Sequence, residues 1–133
     1  MSNVLLAERI HLSAPQTMRR VRALEERGDI KRYTALVAPA AVGLDVLAFV
    51  MLTLDREHSR NVRDMERTVK SFPEIIECHT VSGDFDYMLK VVAKDLKSLS
   101  LFLTDRLMQV PGVASTRSMI CMEEIKPLSG YPT

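Results

Sequence analysis

The residues best suited to molecular recognition lie close together in one basic segment, Ser13–Arg27. Gln side chains pair with adenine edges and Arg side chains with guanine edges in the major groove of DNA. Met18, Val21 and Leu24 recur at a spacing of three, which predicts a helix with an inward-facing apolar stripe. The candidate contacts to double-stranded DNA are the polar and basic residues of this helix: Gln16, Thr17, Arg19, Arg20, Arg22 and Arg27.

Both ends of this helix carry recognisable signals. Ser13 followed by Gln16 is a capping box, and Gly28 can supply the left-handed residue that ends a helix. The same pattern also fits a solvent-exposed amphipathic helix with ordinary arginines, so the two interpretations remain open on spacing alone.

A second helix is predicted just before this one. Ser2–Ile10 reads as a short helix and His11–Ser13 as a turn, which together indicate a helix-turn-helix whose opening helix is missing. The Ser2–Ile10 segment is apolar on more than one face, so we expect it to need cover from another helix or from a partner chain.

The segment Val81–Tyr87 combines one glycine with two carboxylates. Gly83 can bring bare backbone N–H groups near a ligand, and Asp84 and Asp86 could meet an α-amino group. The alternative is an ordinary acidic hairpin turn, in which Gly and Asp are common. We expect no metal site, because two carboxylates without a His or Cys cluster fall short of a cage.

No catalytic site is expected. His11, His58 and His79 are scattered, and Cys78 and His79 are neighbours in a predicted strand, so they point to opposite faces. The sequence contains neither a Walker loop nor a Gly-x-Gly-x-x-Gly motif, and we expect no cofactor.

Composition is typical of a globular protein: 47% of the 133 residues are hydrophobic and 26% are charged. The net charge of +1 conceals an asymmetry, since residues 1–32 carry +3 and the remainder −2. A basic segment of this kind favours a polyanionic partner. Without an apolar run of membrane-spanning length or a signal peptide, and with only two cysteines, we expect a cytoplasmic protein that does not bind membranes.

The elements that would position these residues follow the order β-α-β-β-α-β. Apolar periodicity predicts a first helix opening at Ser59 or Arg60, with Val62, Met65, Val69 and Phe72 on one face. It predicts a second helix capped by Asp95, with an apolar stripe of Leu96, Leu99, Leu103, Leu107 and Val110. The predicted strands are Val46–Leu54, Ile75–Val81, Tyr87–Val92 and Val113–Met122. This order makes a ferredoxin-like sandwich, so the predicted fold class is α+β.

The strands also predict self-association. Val46–Leu54 is apolar on both faces, whereas two helices cover only one face of a four-stranded sheet. We therefore expect the bare face to meet a second copy in a twofold homo-oligomer.

Both halves of the chain resemble one protein family. Ser2–Ile30 with Tyr33–Ala35 resembles the DNA-binding half of the leucine-responsive (Lrp/AsnC) family, and Ile76–Lys90 with Val110–Lys126 resembles its effector domain. The resemblance implies a transcription factor that responds to a small amino acid and forms homodimers assembling to octamers. It implies an effector such as leucine or methionine bound between dimers, near Gly83, Asp84 and Asp86. Companions from the last strand are then expected at Thr116, Ser118 and Ile120.

The expected domains are a partial helix-turn-helix at 1–32, a linker at 33–45 and a ferredoxin-like, amino-acid-binding and oligomerising domain at 46–133. The predicted function is an amino-acid-responsive regulator that binds promoter DNA. The alternative is a headless family member that binds the effector or mixes with full-length relatives without binding DNA itself.

Overall fold

The computed structural model describes residues 13–33, 35, 37–55 and 61–132. The chain divides into two compact units, Met1–Leu36 and Val37–Thr133. The helix predicted over 2–10 and the turn residues 11 and 12 lie outside the described residues.

Helix α1, Ala14–Glu26, confirms the predicted helix and both of its caps. The Gln16 backbone N–H donates to Ser13 Oγ at 3.3 Å, and the Ser13 N–H donates to Gln16 Oε1 at 3.1 Å, which completes the capping box. At the other end Gly28 adopts φ 77°, and the Asp29 N–H donates to the Leu24 carbonyl at 2.8 Å. This is a Schellman ending, in which glycine accepts a conformation that a Cβ would strain.

The predicted inward stripe of α1 is wrong at one of its three residues, Met18. Thr17 is fully buried and Ala14, Val21 and Leu24 are half-buried, whereas Met18 is 42% exposed. An α-helix turns about 100° per residue, so a strict spacing of three drifts by about 60° per repeat, while alternating spacings of three and four stay on one face.

The second unit contains a four-stranded antiparallel sheet and two helices. Its strands are β1 (Val46–Leu54), β2 (Ile75–Thr80), β3 (Tyr87–Ala93) and β4 (Val113–Ile120). Helix α2 spans Val62–Ser71, and helix α3 begins at Leu96. The sheet order is β2-β3-β1-β4, which confirms the ferredoxin-like sandwich and the βαββαβ order.

One face of the sheet and both helices form a single core. Ala48, Val50 and Leu52 of β1 lie opposite Val91, Leu89 and Tyr87 of β3 and are fully buried. The helices contribute Met65 and Val69 from α2 and Leu99, Phe102, Leu107 and Val110 from α3 and its end.

The other side of the sheet, named here the open face, lies away from that core. Successive strand residues alternate between faces, so the register assigns to it Leu47, Phe49, Met51, Glu77, His79, Met88, Lys90, Arg117 and Met119. Met119 is 48% exposed, and Phe49 and Met51 are half-buried.

The two helices of this unit follow the predicted pattern to different extents. Helix α2 begins at Val62, after an Asn61 side chain that accepts a hydrogen bond from the Asp64 N–H at 3.2 Å. The predicted opening residues of this helix, Ser59 and Arg60, lie outside the described residues. Helix α3 is α-helical over Leu96–Leu101, continues as a π-helical turn and ends in a 3-10 turn.

The π-helical turn of α3, Phe102–Arg106, explains which side chains pack. Phe102 and Leu107 are both buried at a spacing of five, which is the spacing that a π turn brings to one face. Leu96, predicted as part of the stripe, is 58% exposed, so that part of the prediction is wrong.

A polar contact ties α2 to the sheet beside this core. The buried Tyr87 donates its hydroxyl hydrogen to Glu66 Oε2 at 2.9 Å. Burial and this hydrogen bond raise the pKa of Tyr87 to about 12, and the same bond lowers the pKa of Glu66. Tyr87 begins β3 directly after the residues Gly83, Asp84 and Asp86 that were singled out from the sequence, so the contact also fixes one end of the loop that carries them.

The difference between Leu96 and Leu99 is directly testable. Truncating the buried Leu99 to Ala should lower the free energy of unfolding by about 2–5 kcal/mol because it leaves a cavity. The same change at the exposed Leu96 should cost less than about 1 kcal/mol. Urea denaturation at one fixed protein concentration compares the two, and equal losses would contradict the packing described for α3.

Candidate functional site

Helix α1 presents an exposed basic surface opposite its buried side. At about 100° per residue, Arg19 lies directly opposite the buried residues, with Gln16 and Arg20 to one side and Arg22 to the other. All four of these side chains are exposed. The sequence therefore predicted the outward direction of Gln16, Arg19 and Arg20, although it placed Met18 wrongly in the inward stripe.

Two of the candidate contacts are placed differently from the rest. Thr17 is fully buried, so it packs inward and we leave it out of the surface that could meet DNA. Arg27 caps the helix and forms an ion pair with Asp29 at 3.1 Å, with both side chains more than half exposed. An exposed pair of this kind is weak, so a phosphate group could displace the aspartate.

Gln16 has a structural role as well as an exposed position. Its side-chain oxygen accepts hydrogen bonds from both the backbone N–H and the hydroxyl of Ser13, at 3.1 and 3.0 Å. Bidentate pairing with adenine also needs that oxygen as an acceptor, so base reading by Gln16 would require the capping box to open. The exposed arginines carry no such constraint.

The loop between β2 and β3 has an exposed tip and an anchored base. Ser82, Gly83 and Asp84 are exposed, whereas Phe85 and Asp86 are half-buried. Gly83 adopts φ 115°, a conformation that other residues resist. The loop closes through a hydrogen bond from the Val81 N–H to the Asp86 carbonyl at 3.2 Å.

Asp86 anchors this loop to the end of β1. Its N–H donates to the Leu52 carbonyl at 3.0 Å, and its carboxylate Oδ2 accepts from the Leu54 N–H at 2.8 Å. A side chain thus replaces a backbone partner where the pairing of β1 with β3 ends, as Asp commonly does beside turns. This structural role of Asp86 fits the acidic hairpin turn that the sequence left open as the alternative to a ligand contact, but the bond to Leu54 was not predicted.

The candidate residues of β4 lie on the helix-facing side of the sheet, along its edge. Thr116 is half-buried and lies opposite Leu52 of β1, the residue whose carbonyl binds the Asp86 N–H. Ser118 and Ile120 lie opposite Val50 and Ala48 and are exposed.

Asp86 and Thr116 therefore flank the same residue of β1, whereas Ile120 does not lie near them. Ile120 lies four positions beyond Thr116 along the strand, which is about 13 Å at roughly 3.3 Å per residue. Asp86 lies on the β3 side of Leu52 and Thr116 on its β4 side, so β1 runs between them, while Ile120 lies at the far end of β4.

Phe85 reaches toward β4 on the open face. The Arg117 guanidinium lies 5.9 Å from the centroid of the Phe85 ring, within the range of a cation–π contact. Arg117 lies opposite Met51, which places it on the open face. Neither residue was singled out from the sequence, where the two are 32 positions apart and belong to different motifs.

The open face is apolar at its centre and charged toward the β2 edge. Leu47, Phe49 and Met51 run along the central strand β1. At the β2 edge Glu77 contacts Lys90 and His79, each at 3.3 Å. His79 lies opposite Met88 and Cys78 opposite Leu89, so the two occupy opposite faces, as predicted from strand alternation.

The part of the chain that the structure describes contains neither a candidate metal site nor a candidate membrane-spanning helix. No three His, Cys, Asp or Glu side chains in it lie close enough to hold a metal ion. Nor does any helix of the described ranges have the length and apolarity that a membrane crossing requires.

Comparison with known proteins relates both units to transcription regulators. Residues 47–131 match the Lrp/AsnC ligand binding domain family, and residues 1–31 match a winged helix-turn-helix DNA-binding family. The leucine-responsive regulatory proteins of Escherichia coli strain K12 and of Salmonella typhimurium are each 42% identical over 125 residues. That alignment covers 94% of this chain and 76% of each relative.

Solved structures agree with this result. A transcriptional regulator from Neisseria meningitidis in complex with L-methionine superposes with a TM-score of 0.85 at 31% identity, covering 99% of this chain and 85% of that one. An AsnC family regulator from Agrobacterium tumefaciens gives 0.87 at 30% identity, with coverage of 99% and 86%. A feast or famine regulatory protein from M. tuberculosis, complexed with L-methionine, gives 0.83 at 29% identity, with coverage of 98% and 86%.

Proposed function

The chain belongs to the Lrp/AsnC family of transcriptional regulators, and we propose that it binds DNA as a homo-oligomer whose action responds to a small apolar amino acid. The relatives are regulators rather than enzymes, so the loop carboxylates are interpreted as binding groups. The observation that carries the proposal is that one chain contains both an exposed arginine surface on α1 and, in the other unit, the anchored loop from Gly83 to Asp86.

DNA binding rests on the exposed residues of α1. Arg19 lies directly opposite the buried side of the helix and Arg20 lies on its flank; both are exposed, as side chains that a helix-turn-helix presents to base edges must be. Arg22 and Arg27 are better suited to phosphates, which supply affinity without sequence information. Phosphate contacts release counterions, so binding should weaken steeply as salt rises.

The amino-acid site rests on the loop Ser82–Asp86. A free amino acid presents an ammonium and a carboxylate, which call for a carboxylate and for N–H donors respectively. Asp86 offers a carboxylate whose position is already fixed by the Leu54 N–H. Gly83 lies at the exposed tip of the loop, where its lack of a side chain lets a ligand approach the backbone. We propose Asp86 for the ammonium, the loop N–H groups for the carboxylate, and Asp84, Thr116 and Ser118 as neighbours.

The chemical class of the effector is proposed from relatives and from the surroundings of the loop. The regulators from Neisseria meningitidis and M. tuberculosis were both solved with L-methionine, and the E. coli relative is named for leucine. The proposed neighbours on β4, Thr116 and Ser118, carry no charge that would bind a charged effector side chain. We therefore propose an uncharged amino acid such as methionine or leucine.

Oligomerisation rests on the open face. Phe49, Met51 and Met119 form an apolar surface on the side of the sheet away from the helices, and burying such area contributes about 25 cal/mol per Å². A twofold axis lets the same patch cover itself in a second copy. We propose that this face forms the homodimer, and that dimers assemble further to octamers.

DNA binding is tested first by selection from a pool of random-sequence duplexes. The wild-type protein should enrich a defined sequence, and Arg20→Ala should weaken binding to it by about 1–3 kcal/mol if this arginine reads a base. Arg67→Ala, an exposed arginine of α2, is the matched control and should leave affinity unchanged. Failure to enrich any sequence at low salt would refute the regulator function.

The effector site is tested by calorimetry with L-methionine and L-leucine. Asp86→Asn keeps an oxygen for the Leu54 N–H but removes the charge, so it should lower affinity by about 1.5–3 kcal/mol without unfolding the loop. The control variant, Asp105→Asn, changes an exposed aspartate in the π-helical turn of α3. It removes the same charge and should bind both amino acids with unchanged affinity. Unchanged affinity in the Asp86 variant would refute the assignment of the ammonium site.

The dimer interface is tested by placing a charge on the open face. Phe49→Glu should convert dimers to monomers, because an unpaired carboxylate would be buried in the apolar centre. Leu96→Glu, at a position already 58% exposed on α3, should leave the dimer intact. Light scattering after size exclusion reports the mass relative to the 15.0 kDa chain, and a dimeric Phe49 variant would place the interface elsewhere.

A further inference from the structure

Phe85 connects the candidate effector loop to the opposite side of the sheet. It lies between Asp84 and Asp86 and is half-buried, unlike the exposed tip before it. Asp86 binds the end of β1 by two hydrogen bonds, while the Phe85 ring contacts Arg117 of β4. Adjacent loop residues therefore bind two different strands, so the loop cannot shift without disturbing at least one of them.

Arg117 is the point at which this loop meets the open face. It follows Thr116 and precedes Ser118, both candidate effector neighbours on the helix-facing side. Because strand residues alternate, the Arg117 side chain lies on the other side, opposite Met51. One edge strand thus carries effector candidates on one face and the loop contact on the other.

The Phe85 ring matters because Arg117 lies beside an apolar surface. Among the residues that the structure describes, Arg117 forms no ion pair, and its recorded partner is the face of the Phe85 ring. A guanidinium brought into an apolar interface is costly unless it is partnered, and an aromatic face is one of the few uncharged partners that suit it. The position of Phe85 therefore decides how readily Arg117 fits within a covered open face.

We propose that Phe85 and Arg117 are positioning residues that form a latch, through which an amino acid bound at the loop changes the open face and its packing against a second copy. This inference rests on the proposed effector site. Ligand contact at Gly83 and Asp86 moves Phe85, the ring changes its position over Arg117, and Arg117 alters its contacts beside Met51. The latch links effector binding to assembly without either residue touching the effector.

The test follows the open face directly while ligand is added. Protein carrying ¹³C-labelled methionine methyl groups is titrated with unlabelled L-methionine, and the Met51 signal is assigned with a Met51→Leu variant. In the wild type the Met51 signal should shift as the site fills. In Arg117→Ala the ligand affinity should stay within about threefold, while the Met51 shift on ligand addition is lost.

Phe85 variants separate the latch from a general structural effect. Phe85→Leu removes the ring but keeps an apolar side chain and should lose the Met51 shift, whereas Phe85→Tyr keeps the ring and should retain it. Analytical ultracentrifugation should show that L-methionine changes assembly in the wild type and Phe85→Tyr, but not in Phe85→Leu or Arg117→Ala.

The outcomes distinguish this inference from the proposed function. If the wild-type protein binds neither L-methionine nor L-leucine, the effector site itself is wrong. If the wild type binds L-methionine but its Met51 signal does not move, or if the shift persists in Arg117→Ala, the site stands and the latch is refuted.

Discussion

The second unit depends on one constraint: strand β1 is apolar on both faces, but helices cover only one of them. Ala48, Val50 and Leu52 are fully buried beneath α2 and α3. The intervening strand residues, Phe49 and Met51, lie on the open face. Two helices on one side of a four-stranded sheet leave its other side without a covering layer. In the proposed function a second copy covers that open face.

In the proposed effector site, one residue of the loop has both a structural role and a binding role. Asp86 accepts a hydrogen bond from the Leu54 N–H where the pairing of β1 with β3 ends, and this bond fixes the position of its carboxylate. The Asp side chain is short, so few rotatable bonds have to be ordered. A binding group held in this way loses little conformational entropy when a ligand arrives. The same anchoring explains why removing the whole side chain would confound fold with function, whereas the Asn substitution separates charge from geometry.

The sequence predicted most of the fold because periodicity and caps are local signals. The bounds of β1, the capping box of Ser13 and the Asp95 cap of α3 all follow from residues a few positions apart. What it missed depends on the backbone in three dimensions. The apolar stripe was extended into the first turn of α3, where Leu96 is exposed. The burial of Phe102 together with Leu107 depends on a π-helical turn that the apolar spacing did not predict.

The candidate site was predictable in composition but not in geometry. Gly83, Asp84 and Asp86 were identifiable because they are adjacent in the chain, and the placement of Thr116 beside Leu52 needed the register of β4. The Phe85–Arg117 contact joins two residues with no local signal, so the sequence could not show it.

That contact also bears on how an effector could alter DNA binding at all. A single helix with a few arginines binds DNA weakly, and two such helices tethered in one dimer bind far more tightly because the second binding event becomes intramolecular. In the proposed mechanism, a change at the open face that alters dimer formation therefore alters DNA affinity, even when α1 itself is unaltered. A ligand shifts such an equilibrium only by the difference in its affinity for the two assembly states. In the proposed mechanism that difference arises at the loop, where Asp86 is bound to β1 and Phe85 lies against Arg117. Regulation then requires no contact between the effector and the DNA-binding helix.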